Sequence, residues 1–282
     1  MVDGALRAFQ DDPYLQLLLV GTPEAAGAVL AALDPEQRVR VGTSAAADEG
    51  VRDAVLAVAE GRADAAVSAG NTATIVKAAA LHLGRWPGVR RPPLAAVLPT
   101  VAGRLVLLDV GSSVDPDEST LAMHARLGAA YAIVVHGLPE PRVGLLTIGT
   151  EEGKGDRLRR ALPPLLDALE LPAGASYAGL VEGLDVVLGS QADVVVTDGF
   201  TGNVLLKGLE TAYATIGPPD GAAGGVSTRA ALLLGVAGLV VVCHGAASGT
   251  DLAAGIALAA RLHRRDSLAA MAELIPHNEV SP

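Results

Sequence analysis

The sequence predicts an α/β fold, a mainly parallel sheet sandwiched by helices. Short, largely apolar runs ending in Gly, Ser, Asp or Asn alternate with longer stretches of helical spacing. Strands without a polar face are buried on both sides, as in a parallel sheet covered by helices. Half of the 282 residues are apolar and only 18% are charged, the opposite of a disordered composition, so a sizeable core is expected.

Leu15–Val20 reads as the first strand, closed by Gly21-Thr22-Pro23. Val51, Ala54, Val55, Val58 and Ala59 fall at i, i+3, i+4, i+7 and i+8, one face of a helix. Ala65–Val67 is a short strand, followed by an Ala-rich helix over Thr72–Leu83. Leu94–Leu98 and Leu105–Val110 are strands around a turn at Gly103, and Asp117–Val135 is a helix. Val143–Ile148 is a strand. The helix expected over Asp156–Leu169 contains Pro163 and Pro164, which should break or kink it. Asp193–Thr197 and Leu239–Cys243 are strands, and Asn203–Thr215 and Thr250–Leu262 are helices. The longest uncharged apolar run, Ala230–Cys243, is fourteen residues, too short to span a bilayer, and reads as a buried strand with its approach. Residues 1–275 read as a single α/β domain, with a frayed tail over 276–282 and a flexible segment over Gly217–Ser227.

The formal charge of -10 argues against broad nucleic-acid binding, which needs a basic surface. A lone Cys243 excludes a disulfide framework and fits a reducing compartment. Asp3, Arg7, Asp11 and Asp12 interrupt any apolar leader, so a cytoplasmic protein is expected.

Ligands of open α/β sheets bind beyond the carboxyl ends of the strands. Five strand ends here carry Gly with Ser, Thr, Asn or Asp: Ser68–Thr72, Asp109–Ser113, Thr147–Gly155, Thr197–Asn203 and Cys243–Ser248. Helix N-termini offer unpaired N–H groups and partial positive charge, so together these loops point to phosphate or a similar anion, although each alone also reads as ordinary capping. Gly149–Gly155 is not a Walker loop, since three residues separate Gly149 from Gly153 and Gly155 follows Lys154. There is no nucleophile elbow and no dinucleotide fingerprint, and the six His lack metal-ligand spacing, so neither metal nor cofactor is expected. Cys243 and His244 are adjacent on a strand and point to opposite faces, which argues against a dyad.

Six segments, in this order, resemble the bacterial phosphate acyltransferase family, PlsX. They are Ser68–Thr72; Arg91–Leu94 with Leu98–Thr100; Leu108–Gly111 with Val114-Asp115; Val143–Leu146 with Ile148-Gly149 and Glu151–Gly155; Ala192–Val204; and Leu234–Val236 with Val242–Gly245. The resemblance implies a fold similar to the isocitrate/isopropylmalate dehydrogenases and phosphate acetyltransferases, and a homodimer. It implies transfer of an acyl group from acyl carrier protein to inorganic phosphate, giving acyl phosphate for phospholipid synthesis. Phosphate itself attacks the thioester, so the protein need only hold an anion against a carbonyl and stabilise an oxyanion. In that chemistry Lys154, one of three lysines, neutralises phosphate, or is a solvated loop residue. Asn71 and Asn203 donate amides to phosphate or carbonyl, or cap helices. His244 protonates the leaving thiolate or bonds the oxyanion, or is a structural strand-end residue. Asp198 and Asp109 orient Lys154 or His244, or serve turns and caps. Ser68, Gly70, Thr72, Gly111, Thr201 and Gly202 complete the substrate loops, whereas His82, His124 and His263 lie within helices and are assigned no catalytic part. Two basic groups could meet an acidic carrier protein: Arg85, Arg90 and Arg91, and Arg157, Arg159 and Arg160.

Three family features have no counterpart here: an opening strand with an Asp-x-Met-Gly-Gly-Asp loop, a basic segment where Gly42–Gly50 now stands, and a projecting helical pair where only the Gly/Pro/Ala stretch near 217–227 remains. The last weakens the case for peripheral membrane association. These departures leave open a non-catalytic homologue that binds acyl groups, phosphate or carrier protein, and a different acyl or phosphoryl transferase on the same fold.

Overall fold

The computed structural model describes all residues except 1, 39–40, 46–49, 152, 220–228, 246 and 276–282. In chain order the elements are α1 (Val2–Asp11), β1 (Leu17–Gly21), α2 (Pro23–Ala32), α3 (Pro35–Arg38), β2 (Val41–Ala45), α4 (Gly50–Ala59), β3 (Ala65–Ser68) and α5 (Thr72–His82). They continue with β4 (Leu94–Thr100), β5 (Gly103–Leu108), α6 (Glu118–His136), β6 (Arg142–Leu146), α7 (Arg157–Asp167), β7 (Ser176–Val181), α8 (Gly183–Leu188), β8 (Val194–Val196) and α9 (Gly199–Ile216). The last are β9 (Ala230–Leu233), β10 (Leu239–Cys243), α10 (Gly249–Arg264) and α11 (Ser267–Glu273). The architecture is α/β with parallel pairings predominating, as the buried apolar strands predict. The chain divides into two compact units, Met1–Gly84 with Arg229–Leu268, and Arg85–Thr228 with Ala269–Pro282.

In the first unit β3 pairs parallel with β10 and β10 antiparallel with β9, while β1 and β2 form a separate parallel pair. α1 lies against α10, and a buried cluster of Ala5, Ala8, Phe9, Leu15, Val29, Leu33 and Ala253 fills the space around them. Gly4 permits the approach, since a Cβ there would stand 2.7 Å from the Leu252 side chain.

In the second unit the strand order is β4-β5-β8-β6-β7, with β4 and β5 an antiparallel hairpin and the other pairs parallel. Val101 and Ala102 turn the hairpin, and Gly103, which opens β5 opposite Thr100, takes φ 132, a backbone angle that other residues rarely adopt. All three valines of β8 are buried. α6 packs on β5 and β8. Gly128 brings it in, because a Cβ there would lie 2.7 Å from Val194.

The structure departs from the sequence expectations in three places. α7 runs unbroken from Arg157 to Asp167 through Pro163 and Pro164. Each proline removes a helical donor, but Leu158, Leu162 and Leu166, spaced by four, bury one stripe of the helix, and such packing outweighs local propensity. The run Ala230–Cys243 is two antiparallel strands, β9 and β10, reversing near Gly235 at φ 76. α9 begins at Gly199 rather than Asn203 because Asp198 caps it, its side chain accepting the Thr201 N–H. The expected tail over 276–282 and most of the expected flexible segment over 217–227 lie outside the described residues.

The first turn of α9 rests on the backbone of the loop after β5. A Cβ at Gly199 would stand 2.7 Å from the Ser113 carbonyl oxygen, and one at Gly202 would collide with the Asp109 carbonyl. A backbone oxygen fixed in a strand-end loop has little room to yield. Gly202→Ala should therefore destabilise the fold by about 3 kcal/mol, read by urea denaturation; a loss below about 1 kcal/mol would contradict this packing.

Candidate functional site

The site in the second unit is built from the ends of β5, β6 and β8. Asp109 follows β5 and is fully buried. Its Oδ1 accepts N–H bonds from Leu94 (3.1 Å), Gly111 (3.1 Å) and Ser112 (3.0 Å), and its Oδ2 accepts one from Ser113 (2.5 Å). Burial pushes the carboxyl up from its ordinary value, against the pull of His124 and these N–H groups. His124 is itself buried on α6 and pairs through Nε2 with the Arg91 carbonyl at 2.9 Å. Burial pushes its ring down, which keeps it neutral near pH 7. Asp109 thus ties the loop 109–113 to the start of β4, the turn role that the sequence offered for it.

Asp198 follows β8 and caps α9, accepting the Thr201 N–H at 2.8 Å on Oδ1 and the Thr201 hydroxyl at 2.8 Å on Oδ2. Asn203, on the next turn, donates Nδ2–H to the Val110 carbonyl at 3.0 Å, directly over Gly111. Gly111 adopts φ 139, and a Cβ there would meet the Asn203 amide at 3.0 Å. The glycines of this segment let α9, its cap and the 109–113 loop interlock.

Arg159, read from the sequence as part of a docking patch, is 8% exposed. Its Nη2 donates to Asp198 Oδ2 (2.5 Å) and Thr197 Oγ1 (2.8 Å), its Nη1 to Asp156 Oδ2 (2.8 Å), and its Nε to the Leu146 carbonyl (3.2 Å). Asp156 also caps α7 through the Arg159 N–H. The neighbouring arginines are engaged as well, Arg157 with Glu118 and Arg160 with the Gly155 carbonyl. In the other group Arg85 bonds the Arg90 carbonyl, Arg90 pairs with Asp117, and Arg91 bonds the Asp115 carbonyl. Helical spacing carried the missed signal: Arg159 shares a face with Leu162 and Leu166, so a buried guanidinium follows from the stripe.

Between the β6 end and α9 lies a cleft of about 500 Å³ with mainly apolar walls, including Leu146, Ile148, Phe200, Val204 and Leu205. Its polar wall residues already have partners within the chain. Thr147 Oγ1 bonds the Gly149 carbonyl at 3.1 Å, Thr201 bonds Asp198, and Arg159 bonds Asp156 and Asp198. Lys154 stands in the adjoining loop, exposed, with its N–H on the Glu151 carbonyl at 3.1 Å. Its ammonium has no hydrogen-bond or ion-pair partner among the described residues. Ile148, Phe200 and Val204 lie in segments that carry the family resemblance but were given no part in the site, because the sequence reading looked for polar groups.

The first unit holds the remaining expected residues. Asn71 caps α5, accepting the Thr74 N–H at 3.1 Å, and Ser68 Oγ accepts the Gly70 N–H at 3.1 Å, with Thr72 the first residue of the helix. This cap is neutral, whereas carboxylates cap α7 and α9, so the α5 end is the one of the three left uncompensated for an anion. His244 is half-buried after β10, with its N–H on the Arg229 carbonyl at 3.1 Å. Cys243 is buried, which pushes its thiol up to about 11 and leaves it unsuited as a nucleophile near neutrality. The structure thus gathers Asp109, Gly111, Asp198, Thr201, Gly202 and Asn203 in one interlocked group, with Lys154 beside the cleft that α9 lines. Ser68, Gly70, Asn71, Thr72 and His244 belong to the other unit. Among the described residues no cluster of three or more His, Cys, Asp or Glu could hold a metal ion, and no helix is long and apolar enough to cross a membrane.

Residues 1–218 match the family described as fatty acid synthesis protein. The chain is 42% identical over 230 residues to a phosphate acyltransferase of Thermobifida fusca (strain YX), an alignment covering 73% of this chain and 64% of that protein. It therefore spans about two thirds of the length of the first curated relatives it matches. The fold is similar to that of a branched-chain phosphotransacylase from Enterococcus faecalis V583, with TM-score 0.66 and 19% identity, covering 92% of this chain and 93% of that one. It is similar also to a 4-hydroxythreonine-4-phosphate dehydrogenase from Klebsiella pneumoniae, with TM-score 0.56 and 14% identity over 93% of this chain and 94% of that one. A transacylase and a dehydrogenase thus share the architecture.

Burial pushes the Asp198 carboxyl up, but the Thr201 N–H and the Arg159 guanidinium outweigh burial and hold it below the usual carboxylate range. A carboxylate with a depressed folded-state pKa stabilises the fold above its unfolded value, about 3.9, and that stabilisation is lost as the pH falls through the folded value. Urea denaturation between about pH 6 and pH 3 should show declining stability below about pH 4, and Asp198→Asn should flatten the decline. An identical slope in both proteins would contradict the role of this ion pair.

Proposed function

Because the chain belongs to the fatty acid synthesis protein family, whose curated relatives are phosphate acyltransferases, we propose that it transfers an acyl group from an acyl-[acyl carrier protein] thioester to inorganic phosphate. The observation that carries this reading is a cleft whose polar side chains are satisfied internally, lying beside an exposed lysine whose ammonium has no partner among the described residues. Such walls favour a ligand of methylenes over a sugar or nucleotide, since each buried CH₂ contributes about 0.8 kcal/mol and needs no hydrogen bond. The lysine beside it favours an anion.

Phosphate oxygen attacks the thioester carbonyl, forming a C–O bond and a tetrahedral oxyanion. Collapse breaks the C–S bond and releases the carrier thiolate, which takes up a proton. Lys154 neutralises phosphate as it approaches, and the second Asn203 amide proton is available to the oxyanion once the first is fixed on Val110. The Asp109 loop and the Asp198 cap hold Asn203 in place. Ser68–Thr72 contact phosphate, and His244 protonates the thiolate or bonds the oxyanion. The resemblance further implies a homodimer whose product feeds phospholipid synthesis. Acidic carrier protein would meet a chain of net charge -10, so docking rests on local arginines such as Arg90, which remains exposed on its Asp117 pairing.

Purified protein mixed with acyl carrier protein thioester and phosphate should yield acyl phosphate, trapped by hydroxylamine as hydroxamate. Folded protein that gives no hydroxamate above background contradicts the reading. Lys154→Ala and Asn203→Ala should each lower kcat by roughly 10²-fold; rates unchanged in both would remove them from the site. Asn71→Ala and His244→Ala test the two remaining assignments in the same assay. Val204→Asp should raise KM at least about tenfold for a long acyl chain, with little change for an acetyl donor, and equal effects on both donors would dissociate the cleft from the acyl chain.

A further inference from the structure

We propose that Arg159 is a positioning residue that fixes the Lys154 loop relative to the helix carrying Asn203. The connection can be traced bond by bond. Lys154 is followed by Gly155, at φ 85, where a Cβ would stand 2.6 Å from Arg159 Cβ, so the loop lies directly on this side chain. Asp156 comes next, and its carboxylate meets Arg159 Nη1 at 2.8 Å. From the other branch of the guanidinium, Nη2 reaches Asp198 at 2.5 Å and Thr197 at 2.8 Å. Asp198 in turn caps α9 through Thr201, two residues before Asn203. One planar fork therefore joins the two helix starts, and Nε adds the end of β6 through the Leu146 carbonyl.

Stability alone does not explain this arrangement. A buried ion network is often matched or exceeded in stability by apolar residues of similar volume, because desolvation offsets its attraction. What the fork supplies is a fixed distance and angle between two carboxylates, which a single ammonium cannot reproduce. A site that depends on placing a cation and an amide around one reacting centre is sensitive to displacements of about 1 Å, which can cost about 10²-fold in rate. Arg159 lines the cleft, but its guanidinium is engaged by Asp156 and Asp198, and it acts on Lys154 and Asn203 through those carboxylates.

The kinetic part rests on the phosphate acyltransferase reading, and the exchange part does not. Arg159→Met, with its fold checked by circular dichroism, should lower kcat at least about tenfold while KM for the acyl donor stays within about threefold. In a Lys154→Ala background the same substitution should cost less than about twofold, because the residue it positions is gone. Independent, multiplying losses would overturn the proposal, as would a KM effect without a kcat effect. Guanidinium ion added to Arg159→Ala should restore part of kcat and urea should not; equal effects of the two would point to packing alone and overturn it. Hydrogen exchange reads the clamp without turnover. Arg159→Met should speed exchange at residues 153–160 and 198–204 together, with residues 68–76 unchanged. Unchanged exchange in the first two segments overturns the clamp. Accelerated exchange in a protein that forms no acyl phosphate would sustain the clamp and reject the proposed function. Should Arg159→Met not fold, Arg159→Lys keeps the charge and is expected to fold with the same linked exchange and a lowered kcat; wild-type exchange and kcat in that variant would overturn the proposal.

Discussion

The first turn of α9 lies on the backbone of the loop after β5, and the geometry of the second unit's strand ends follows from that approach. Gly202 can exist there only without a side chain, since its Cβ would collide with the Asp109 carbonyl. Gly199 is held likewise by Ser113, to whose carbonyl it donates its N–H at 2.7 Å. Once the helix is this close, Asn203 reaches Val110, Asp198 reaches the Thr201 N–H, and the Asp198 carboxylate faces inward toward Arg159. A bulkier residue at either glycine would separate all three contacts together.

The charges gathered at this edge are costly to bury, and each is compensated in a different way. Asp109 takes four backbone N–H groups and no cation as a direct partner. Asp198 has a guanidinium and a helix N-terminus. Arg159 has two carboxylates and two neutral oxygens. Burying a charge without such partners costs several kcal/mol, so the network is all-or-none: loss of one member leaves another desolvated and alone. Lys154 is the exception, an exposed cation beside a mainly apolar cleft, with no partner for its ammonium among the described residues.

Most of the fold was legible in the sequence wherever periodicity and burial agree. Val51, Ala54, Val55, Val58 and Ala59 predicted α4, and the runs at 94–98 and 105–110 predicted the hairpin of β4 and β5. Uniformity hid the reversal within Ala230–Cys243, because an uncharged apolar run contains no contrast besides Gly235 and Gly238 to mark the turn. β2 (Val-Gly-Thr-Ser-Ala) and β7 (Ser-Tyr-Ala-Gly-Leu-Val) mix glycine with small residues and gave no strand signal. The start of α9 looked like a loop for a related reason. Gly199 and Gly202 lower helix propensity, but they are present for close packing rather than for a turn. At the site, the motif loops marked Asp109 and Asp198 as strand-end residues, where the structure has them, whereas Asn203 lies within α9. Their partners were not legible, since Arg159 sits in a run of arginines whose surface reading is overturned only by the register of Leu162 and Leu166.

In the proposed transfer phosphate, not a protein side chain, is the nucleophile: Cys243 is buried with a raised thiol pKa, and the polar side chains of the cleft, Thr147, Asp156, Arg159 and Thr201, are bonded within the chain. The direct measurement is mass spectrometry of product and protein after reaction of acyl carrier protein thioester with fully ¹⁸O-labelled phosphate. The account predicts acyl phosphate that retains all of its labelled oxygens, with the mass of the protein unchanged throughout turnover. Acyl phosphate never forming, or a protein that gains the mass of an acyl group in step with turnover, would contradict it.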